Sequence, residues 1–392
     1  MKRIPLRRFG AALIGIVFLV SGLLKISDPV GTMLIVTEYL KFFHIGFLIP
    51  AAKGLGIALS TLEAFTGIAL ITGVLRKLTA WVTTGLLAFF TVITLILWIK
   101  NPEMDCGCFG QAIHLTHVQS LVKNVILLVL ALWAFLPFGD FGKAPVRKIV
   151  SASIATASVI FAVVYCNTHL PLLDYTDFRI GVELMASLDD DIVADNHYRE
   201  ERTYVKDGQT GKFLPGYYPG EDWELVKTDT VFVESSFGTD NFPILSLRDT
   251  ADVYCDRLAA EGKVVIFSVY NPESAPWESI SAGYNSVLEA GGTPLVLLSC
   301  APSQLSGYPV PAGLPVYFAD YKSLISLNRS NGGATYLSEG EIIMKWAVRD
   351  IPADFSTVFP DDPVNIATWV LSRNRLKAQG FCLYLAALLI LV

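Results

Sequence analysis

The chain has 392 residues, of which 53% are hydrophobic and 17% are charged, and its mean hydropathy is +0.49. This composition excludes an ordinary water-soluble globular protein and indicates an integral membrane protein. The formal net charge of −6 conceals two different parts, because residues 1–166 carry a net charge of +8 and residues 167–392 a net charge of −14. The chain has no basic cluster of the kind that indicates nucleic-acid binding.

Five apolar segments in the first half of the chain have about the length that crosses a bilayer core of roughly 30 Å. The first, residues 9–24, follows Arg7 and Arg8 and lacks a small-residue cleavage site, so we predict an uncleaved membrane helix rather than a signal peptide. Residues 27–43 mix polar and apolar positions at helical spacing, which favours a short helix at the membrane interface. The remaining spans are predicted at residues 52–74, 78–99, 118–136 and 149–164.

Basic residues in the short loops predict the orientation of these spans. Most of them collect on one side, namely Lys2, Arg3, Arg7, Arg8, Arg76, Lys77, Lys143, Arg147 and Lys148. The positive-inside rule then places the N-terminus in the cytoplasm, and the loop 101–117 and everything after residue 165 outside. We therefore predict a multi-pass protein of the bacterial inner membrane, in contact with the lipid bilayer, whose large domain faces the oxidising periplasm.

After residue 167 the pattern changes to short strands and helices. Strand–helix–strand followed by strand–helix–hairpin predicts an α/β domain with one central sheet. A smaller hairpin is predicted before it, turning at Asp207–Gly208. The main elements are strands at 263–270, 293–300 and 314–321, a helix at 277–290, and a hairpin turning at Glu339–Gly340.

These elements predict five parts of the chain. Two features argue against the last of them, a C-terminal membrane helix. Its apolar end, residues 381–392, is short for a membrane crossing, and it follows three basic residues on the outer side. The parts are a four-helix transmembrane domain (1–140), a fifth transmembrane helix (141–166), a linker with the small hairpin (167–245), the α/β domain (246–352) and a C-terminal membrane helix (373–392).

Four short motifs in the first third of the chain carry a family resemblance. On these motifs the chain resembles the DoxX-like superfamily, and within it the MauE proteins of methylamine utilisation, over residues 8–140. The resemblance implies a compact four-helix membrane bundle and a link to the maturation of a disulfide-rich periplasmic enzyme. The motifs are SGLLKISDP (21–29), LEAFTGIALITG (62–73), DCGCFG (105–110) and the pair Lys123–Asn124.

The α/β segment resembles a thioredoxin fold but lacks the residues of its chemistry. The resemblance implies a Cys-x-x-Cys motif where the helix after the first core strand begins, and a cis-proline before the final hairpin. Residues 271–280 read NPESAPWESI without a cysteine, and Gly332 or Gly333 stands at the proline position. We therefore predict a periplasmic thioredoxin-like domain that does not exchange disulfides by the thioredoxin route.

Cys106 and Cys108, which are separated by one glycine after the third span, are open to three interpretations. They can close a small, strained and therefore oxidising disulfide, which would pass electrons between periplasmic thiols and a membrane quinone. They can bind zinc or copper together with His114 and His117. They can also be structural, with each cysteine bonded elsewhere, for example to Cys166.

Glu63 is a carboxylate within the second predicted span, where charge is costly and indicates function, such as proton movement or quinone contact. The alternative is a structural role, with hydrogen bonds to Ser60, Thr61 or another threonine of the bundle. Lys25 and Asp28 are expected to pair at the interface, with the Lys25 ammonium directed to solvent.

Two functions follow from these residues. The first is a thiol–disulfide or electron relay, with Cys106, Cys108 and Glu63 as its site and a membrane quinone as the one cofactor suggested. The second is a non-enzymatic, membrane-anchored assembly protein whose outer domain binds an unknown periplasmic protein. Whether the chain is an enzyme therefore stays open at this point.

Overall fold

A computed structural model describes residues 3–102, 104–136, 144–184, 198–206, 209–213, 224–232, 243–251 and 253–390. The chain divides into two compact units. The first consists of Met1–Tyr175 and Ser372–Val392, and the second of Thr176–Leu371. We refer to them as the membrane unit and the α/β unit.

The helices of the membrane unit agree with the predicted spans. Within the described ranges, five segments are long and apolar enough to cross a membrane: Leu6–Ser27, Gly46–Thr72, Arg76–Lys100, His117–Phe135 and Val146–Thr168. The elements are α1 (Arg3–Ser27), α2 (Pro29–Phe42), α3 (Ala52–Thr72), α4 (Arg76–Lys100), the short strand β1 (Cys108–Gln111), α5 (His117–Phe135) and α6 (Val146–Thr168).

Local sequence explains where these helices begin and end. The Asp28 carboxylate accepts a hydrogen bond from Gly31 N at 2.9 Å and caps α2, with Pro29 at the first helical position. Gly73 ends α3 in the left-handed conformation that a glycine adopts without strain. A capping box between Thr116 and Gln119 begins α5.

Helices α1 and α3 pack with their backbones in close contact. A Cβ atom on Gly67 would lie 2.6 Å from Leu19 N, and one on Gly22 would lie 2.6 Å from Ala64 N. Glycine at these crossing points lets the two backbones approach, as small residues do in many membrane helix pairs.

The described residues of the α/β unit form two sheets. The smaller sheet has the order β3-β2-β4, from β2 (Tyr198–Lys206), β3 (Gln209–Phe213) and β4 (Glu224–Phe232). Antiparallel pairing of β2 with β3 confirms the predicted hairpin, although its turn at Asp207–Gly208 lies outside the described residues. The larger sheet is built by β5 (Lys263–Val269), α7 (Trp277–Glu289), β6 (Thr293–Leu298), β7 (Val316–Phe318), α8 (Tyr321–Leu327), β8 (Gly333–Ser338) and β9 (Glu341–Trp346).

The larger sheet has the order β7-β6-β5-β8-β9, with β5, β6 and β7 parallel and β8 and β9 antiparallel to their neighbours. Strand β5 is central, and its residues from Val264 to Val269 are fully buried because hydrophobic clusters cover both of its faces. The predicted order of strands and helices and the hairpin at Glu339–Gly340 are confirmed, and the unit is thioredoxin-like.

The C-terminal helix, predicted over residues 373–392, begins ten residues earlier in the structure. Residues 381–390 form the end of one long helix, α9 (Pro363–Ile390), and the part from Ser372 onward belongs to the membrane unit. There Leu385 is buried in a cluster with Ala152 and Ala155 of α6. This segment is therefore packed against other helices, and its crossing of the membrane stays a prediction.

The contact of α1 with α3 yields a first test. We expect Gly67→Val to lower the thermal stability of the purified protein, because the added atoms meet the α1 backbone, and overpacking of this kind costs about 1–3 kcal/mol. Gly85→Val in α4 is the matched control, since a Cβ atom there meets nothing within 4 Å. Equal melting temperatures for the two variants would contradict this packing.

Candidate functional site

The loop that carries both cysteines lies at one end of the helix bundle. It contacts the last turn of α1 and helix α2. Gly107 and Gly110 have positive φ angles of 60° and 64°, a backbone conformation that residue types other than glycine rarely adopt. A Cβ atom at Gly107 would also overlap Ile35 of α2, so the glycine between the cysteines is required for close docking as well as for the turn.

Hydrogen bonds from two helices hold the backbone of this loop. The Tyr39 hydroxyl of α2 donates to the carbonyl of Cys106 at 2.7 Å, and the Ser21 hydroxyl of α1 lies 2.7 Å from the carbonyl of Cys108. The Lys123 ammonium of α5 lies 4.7 Å from the centre of the Phe109 ring, a favourable cation–π distance. The loop is thus fixed through its backbone, which leaves the sulfur atoms available for other contacts.

Beneath the loop lies a buried ion pair. Lys25 Nζ of α1 is 2.7 Å and 2.9 Å from the two carboxylate oxygens of Glu63 of α3, and the two side chains are 9% and 3% exposed. Ser21 Oγ is also 2.8 Å from Glu63 Oε2. A hydroxyl has one hydrogen, so Ser21 donates either to Glu63 or to the Cys108 carbonyl at a given moment.

This arrangement corrects two expectations. Lys25 does not extend to solvent as an interfacial anchor, since its ammonium is buried against Glu63. The predicted structural partners of Glu63 are also wrong, because the hydroxyls of Ser60 and Thr61 donate to carbonyls of their own helix. A buried pair is far less costly than either charge alone, which explains why both residues are tolerated here.

The cysteines and the ion pair line one cavity of about 270 Å³. Its wall is mostly apolar, and Ile45 and Phe89, which are 37% and 55% exposed, lie along its outer part. Ligand pockets in proteins have this character, an apolar wall with a few convergent polar groups. The polar groups include Ser21, Lys25, Tyr39, Glu63, Cys106 and Cys108.

Cys106 contacts an imidazole. Its side chain is buried, and Sγ lies 2.9 Å from His117 Nδ1 at the first position of α5. Burial raises the pKa of the Cys106 thiol, and the neighbouring Cys108 and Asp105 act in the same direction. The Lys123 ammonium and the Ser120 hydroxyl lower the pKa of the Cys106 thiol and so oppose this increase. Among the described residues, the buried Ser120 hydroxyl has no well-formed hydrogen bond.

The four residues of the metal hypothesis do not come together. His114 Nδ1 lies 3.0 Å from the Asp105 carboxylate at the surface, where the two side chains are 62% and 53% exposed, whereas His117 faces Cys106. Across the described ranges, no three His, Cys, Asp or Glu side chains are placed to hold a metal ion. All six cysteines lie in those ranges, and no two of their sulfur atoms are joined in the structure.

The fold thus brings Cys106, Cys108 and Glu63, the predicted site residues, to one cavity. Residues that the sequence interpretation did not assign to the site are Ser21, Lys25 and Tyr39. Ser21 and Lys25 are four positions apart and therefore share a face of α1, which is the signal that would have found them.

Comparison with known proteins agrees with this arrangement. Residues 5–137 match the family described as methylamine utilisation protein MauE, and this segment contains every residue of the site. The membrane unit is MauE-like. The chain is also similar to Protein TlpB of Flavobacterium psychrophilum, with 26% identity over 209 residues, which is 52% of this chain and 56% of TlpB. The chain therefore spans about half the length of that relative. No solved structure matches the chain.

The ion pair of this MauE-like unit yields a second test. We expect Lys25→Met to lower the free energy of unfolding by about 3–5 kcal/mol, because it leaves the Glu63 carboxylate buried without its cation. Thermal unfolding of the purified protein measures the loss.

Two further variants make this test specific. Lys25→Met combined with Glu63→Gln removes both charges, and we expect it to regain most of the lost stability. Lys100→Met, at the exposed end of α4, is the control for loss of a lysine. An equal loss in Lys100→Met and Lys25→Met would disprove the importance of the pair.

Proposed function

We propose that this protein is a membrane thiol–disulfide relay, in which Cys106 and Cys108 pass electrons from the thiols of a periplasmic protein to a membrane quinone. The observation that carries this proposal is that both thiols line the same apolar cavity as the Lys25–Glu63 pair, within a membrane-spanning bundle. The similarity to MauE and TlpB supports a membrane protein linked to thiol redox or protein maturation.

The two cysteines differ in exposure, which suggests different partners. Cys108 is partly exposed and is assigned the exchange with the protein partner, whereas Cys106 is 5% exposed and is assigned to the cavity. In the first step, the Cys106–Cys108 disulfide accepts two electrons and two protons from a partner dithiol, which becomes a disulfide. In the second step, the two thiols form their disulfide again, and the quinone takes up two electrons and two protons to give the hydroquinone.

The ion pair gives the cavity a polar end. The Lys25 ammonium can donate a hydrogen bond to a quinone carbonyl oxygen and stabilise the negative charge that develops there on reduction. Glu63 holds Lys25 in place and keeps the pair neutral overall. In this proposal Glu63 acts through Lys25 and is a positioning residue rather than a catalytic one.

The proposed location is the bacterial inner membrane, with the cysteine loop and the α/β unit on the periplasmic side. The cysteine loop contacts Lys25 in the last turn of α1. Arg8 lies near the opposite end of α1, close enough to Arg76 at the start of α4 for their charges to interact. Basic residues therefore gather at the end of the bundle away from the cysteines, as the positive-inside rule expects for the cytoplasmic side.

A second candidate is a membrane-anchored assembly protein without redox activity. The feature that favours it is the absence of cysteine from residues 271–280. This segment includes the first turn of α7, where a thioredoxin would carry its two cysteines. The α/β unit would then contribute a binding surface only.

A redox-trapping experiment separates the two candidates. Reduced full-length protein in lipid nanodiscs is incubated with decylubiquinone, and free thiols are counted by maleimide labelling and mass spectrometry. We expect the loss of two thiols, mapped to a Cys106–Cys108 bond, with one equivalent of hydroquinone formed.

The controls are cysteine variants. Cys106→Ser and Cys108→Ser should each abolish hydroquinone formation, whereas Cys300→Ser in the α/β unit should not. If both thiols of the loop stay labelled while the quinone stays oxidised, the relay is disproved and the assembly function is favoured.

A further inference from the structure

The contact between Cys106 and His117 defines which ring nitrogen carries the hydrogen. His117 Nε2 lies 3.0 Å from the carbonyl oxygen of Pro102, which can only accept a hydrogen bond. In the neutral imidazole Nε2 is therefore the N–H donor, and Nδ1 has the free electron pair. Nδ1 is the atom that lies 2.9 Å from Cys106 Sγ, so the thiol donates to it.

The position of His117 is fixed by the local structure on both sides. Thr116 and Gln119 form the capping box that begins α5, and this sets the first turn in which His117 stands. The Pro102 carbonyl orients the ring from the far side. A nucleophile, a base in contact with it and a third group that orients the base make up the arrangement found in activated nucleophiles.

The surroundings of Cys106 favour the use of such a base. Burial and nearby negative groups raise the pKa of the thiol, so little thiolate forms at neutral pH without a proton acceptor. Two groups of α5 oppose this increase in the pKa of the thiol. They are the fully buried Ser120, one turn after His117, and Lys123, one turn further along the helix. The titratable and charged groups around the thiol are Tyr39 of α2, Asp105 and Cys108 of the loop, and His117 and Lys123 of α5.

We propose that His117 is the general base for Cys106 and makes this cysteine the nucleophile of the pair. This inference deepens the proposed relay and rests on it for its biological role. When the sulfur of Cys106 bonds to the sulfur of Cys108, the S–H proton of Cys106 passes to His117 Nδ1. When a thiolate of the partner attacks Cys108 and breaks this disulfide, Cys106 is the leaving group and takes a proton from the imidazolium.

In the relay, this proton transfer accompanies disulfide formation. The sulfur of Cys106, having given its proton to His117, bonds to the sulfur of Cys108, whose own proton is also released. A quinone bound in the cavity would accept the two electrons and two protons and leave as the hydroquinone. No oxidant other than this quinone is required.

The test measures the nucleophilicity of Cys106 directly and needs no quinone. In full-length Cys108→Ser protein, the rate of alkylation of Cys106 by iodoacetamide is followed by mass spectrometry between pH 5 and 10. Protonation of the His117 ring removes its acceptor, so we expect the alkylation rate to fall on the acid side in a step that depends on His117. A second increase at high pH reports direct ionisation of the thiol.

In Cys108→Ser/His117→Gln we expect only the high-pH increase to persist, with a rate at pH 7.5 that is about 10²-fold lower, the lower end for a positioned general base. In Cys108→Ser/His117→Ala, added imidazole should restore part of the rate, which a merely structural role would not explain. Cys108→Ser/His114→Gln, which changes the exposed histidine of the same loop, should keep the original profile.

The outcomes also separate this inference from the relay. A profile without the acid-side inflection in Cys108→Ser, in protein whose folding is verified by its thermal transition, overturns the role of His117 regardless of how the other variants fold. If the inflection is present while decylubiquinone leaves both thiols reduced, His117 activates Cys106 and the quinone relay is wrong. If quinone oxidises the pair while the profile is flat, the relay holds without this base.

Discussion

The membrane unit depends on the buried pair of Lys25 and Glu63. Each charge by itself would be costly inside a bundle of membrane helices, whereas the two together are neutral and satisfy each other at 2.7 Å and 2.9 Å. The pair joins α1 to α3, the two helices whose backbones touch at glycines. It also sets the polar end of the cavity, and Ser21 connects it to the loop that carries the cysteines.

The loop itself combines a fixed backbone with accessible chemistry. Tyr39 and Ser21 bind the carbonyls of the two cysteines, and Gly107 lets the chain lie flat on α2. The sulfur of Cys106 then meets His117, so a hydrogen-bonded thiol is held beside an apolar cavity. This combination of a fixed thiol, a neighbouring imidazole and an apolar space is what supports the proposed redox function. The thioredoxin-like unit, by contrast, keeps its core around the buried strand β5 without cysteines at the start of α7.

Much of the fold could be predicted, because its signals are local in the chain. The apolar spans, the alternation of strands and helices in the second half, and the turn at Glu339–Gly340 each depend on neighbouring residues, and all agree with the structure. A helix at the end of the chain is predicted over residues 373–392, but the point where it begins could not be predicted in the same way. Residues 381–390 by themselves look too short for a membrane helix, but they continue a helix that begins at Pro363, and Leu385 packs against α6.

The sequence by itself determined that this is a multi-pass, MauE-like membrane protein with a thioredoxin-like domain, and that Cys106, Cys108 and Glu63 deserve chemical interest. Only the tertiary structure decided their partners. Glu63 meets Lys25 from 38 positions away, and Cys106 meets His117 while His114, three residues before it, pairs with Asp105. These side-chain contacts depend on how the helices cross and where the loop packs. The spacing of residues along the chain does not contain that information.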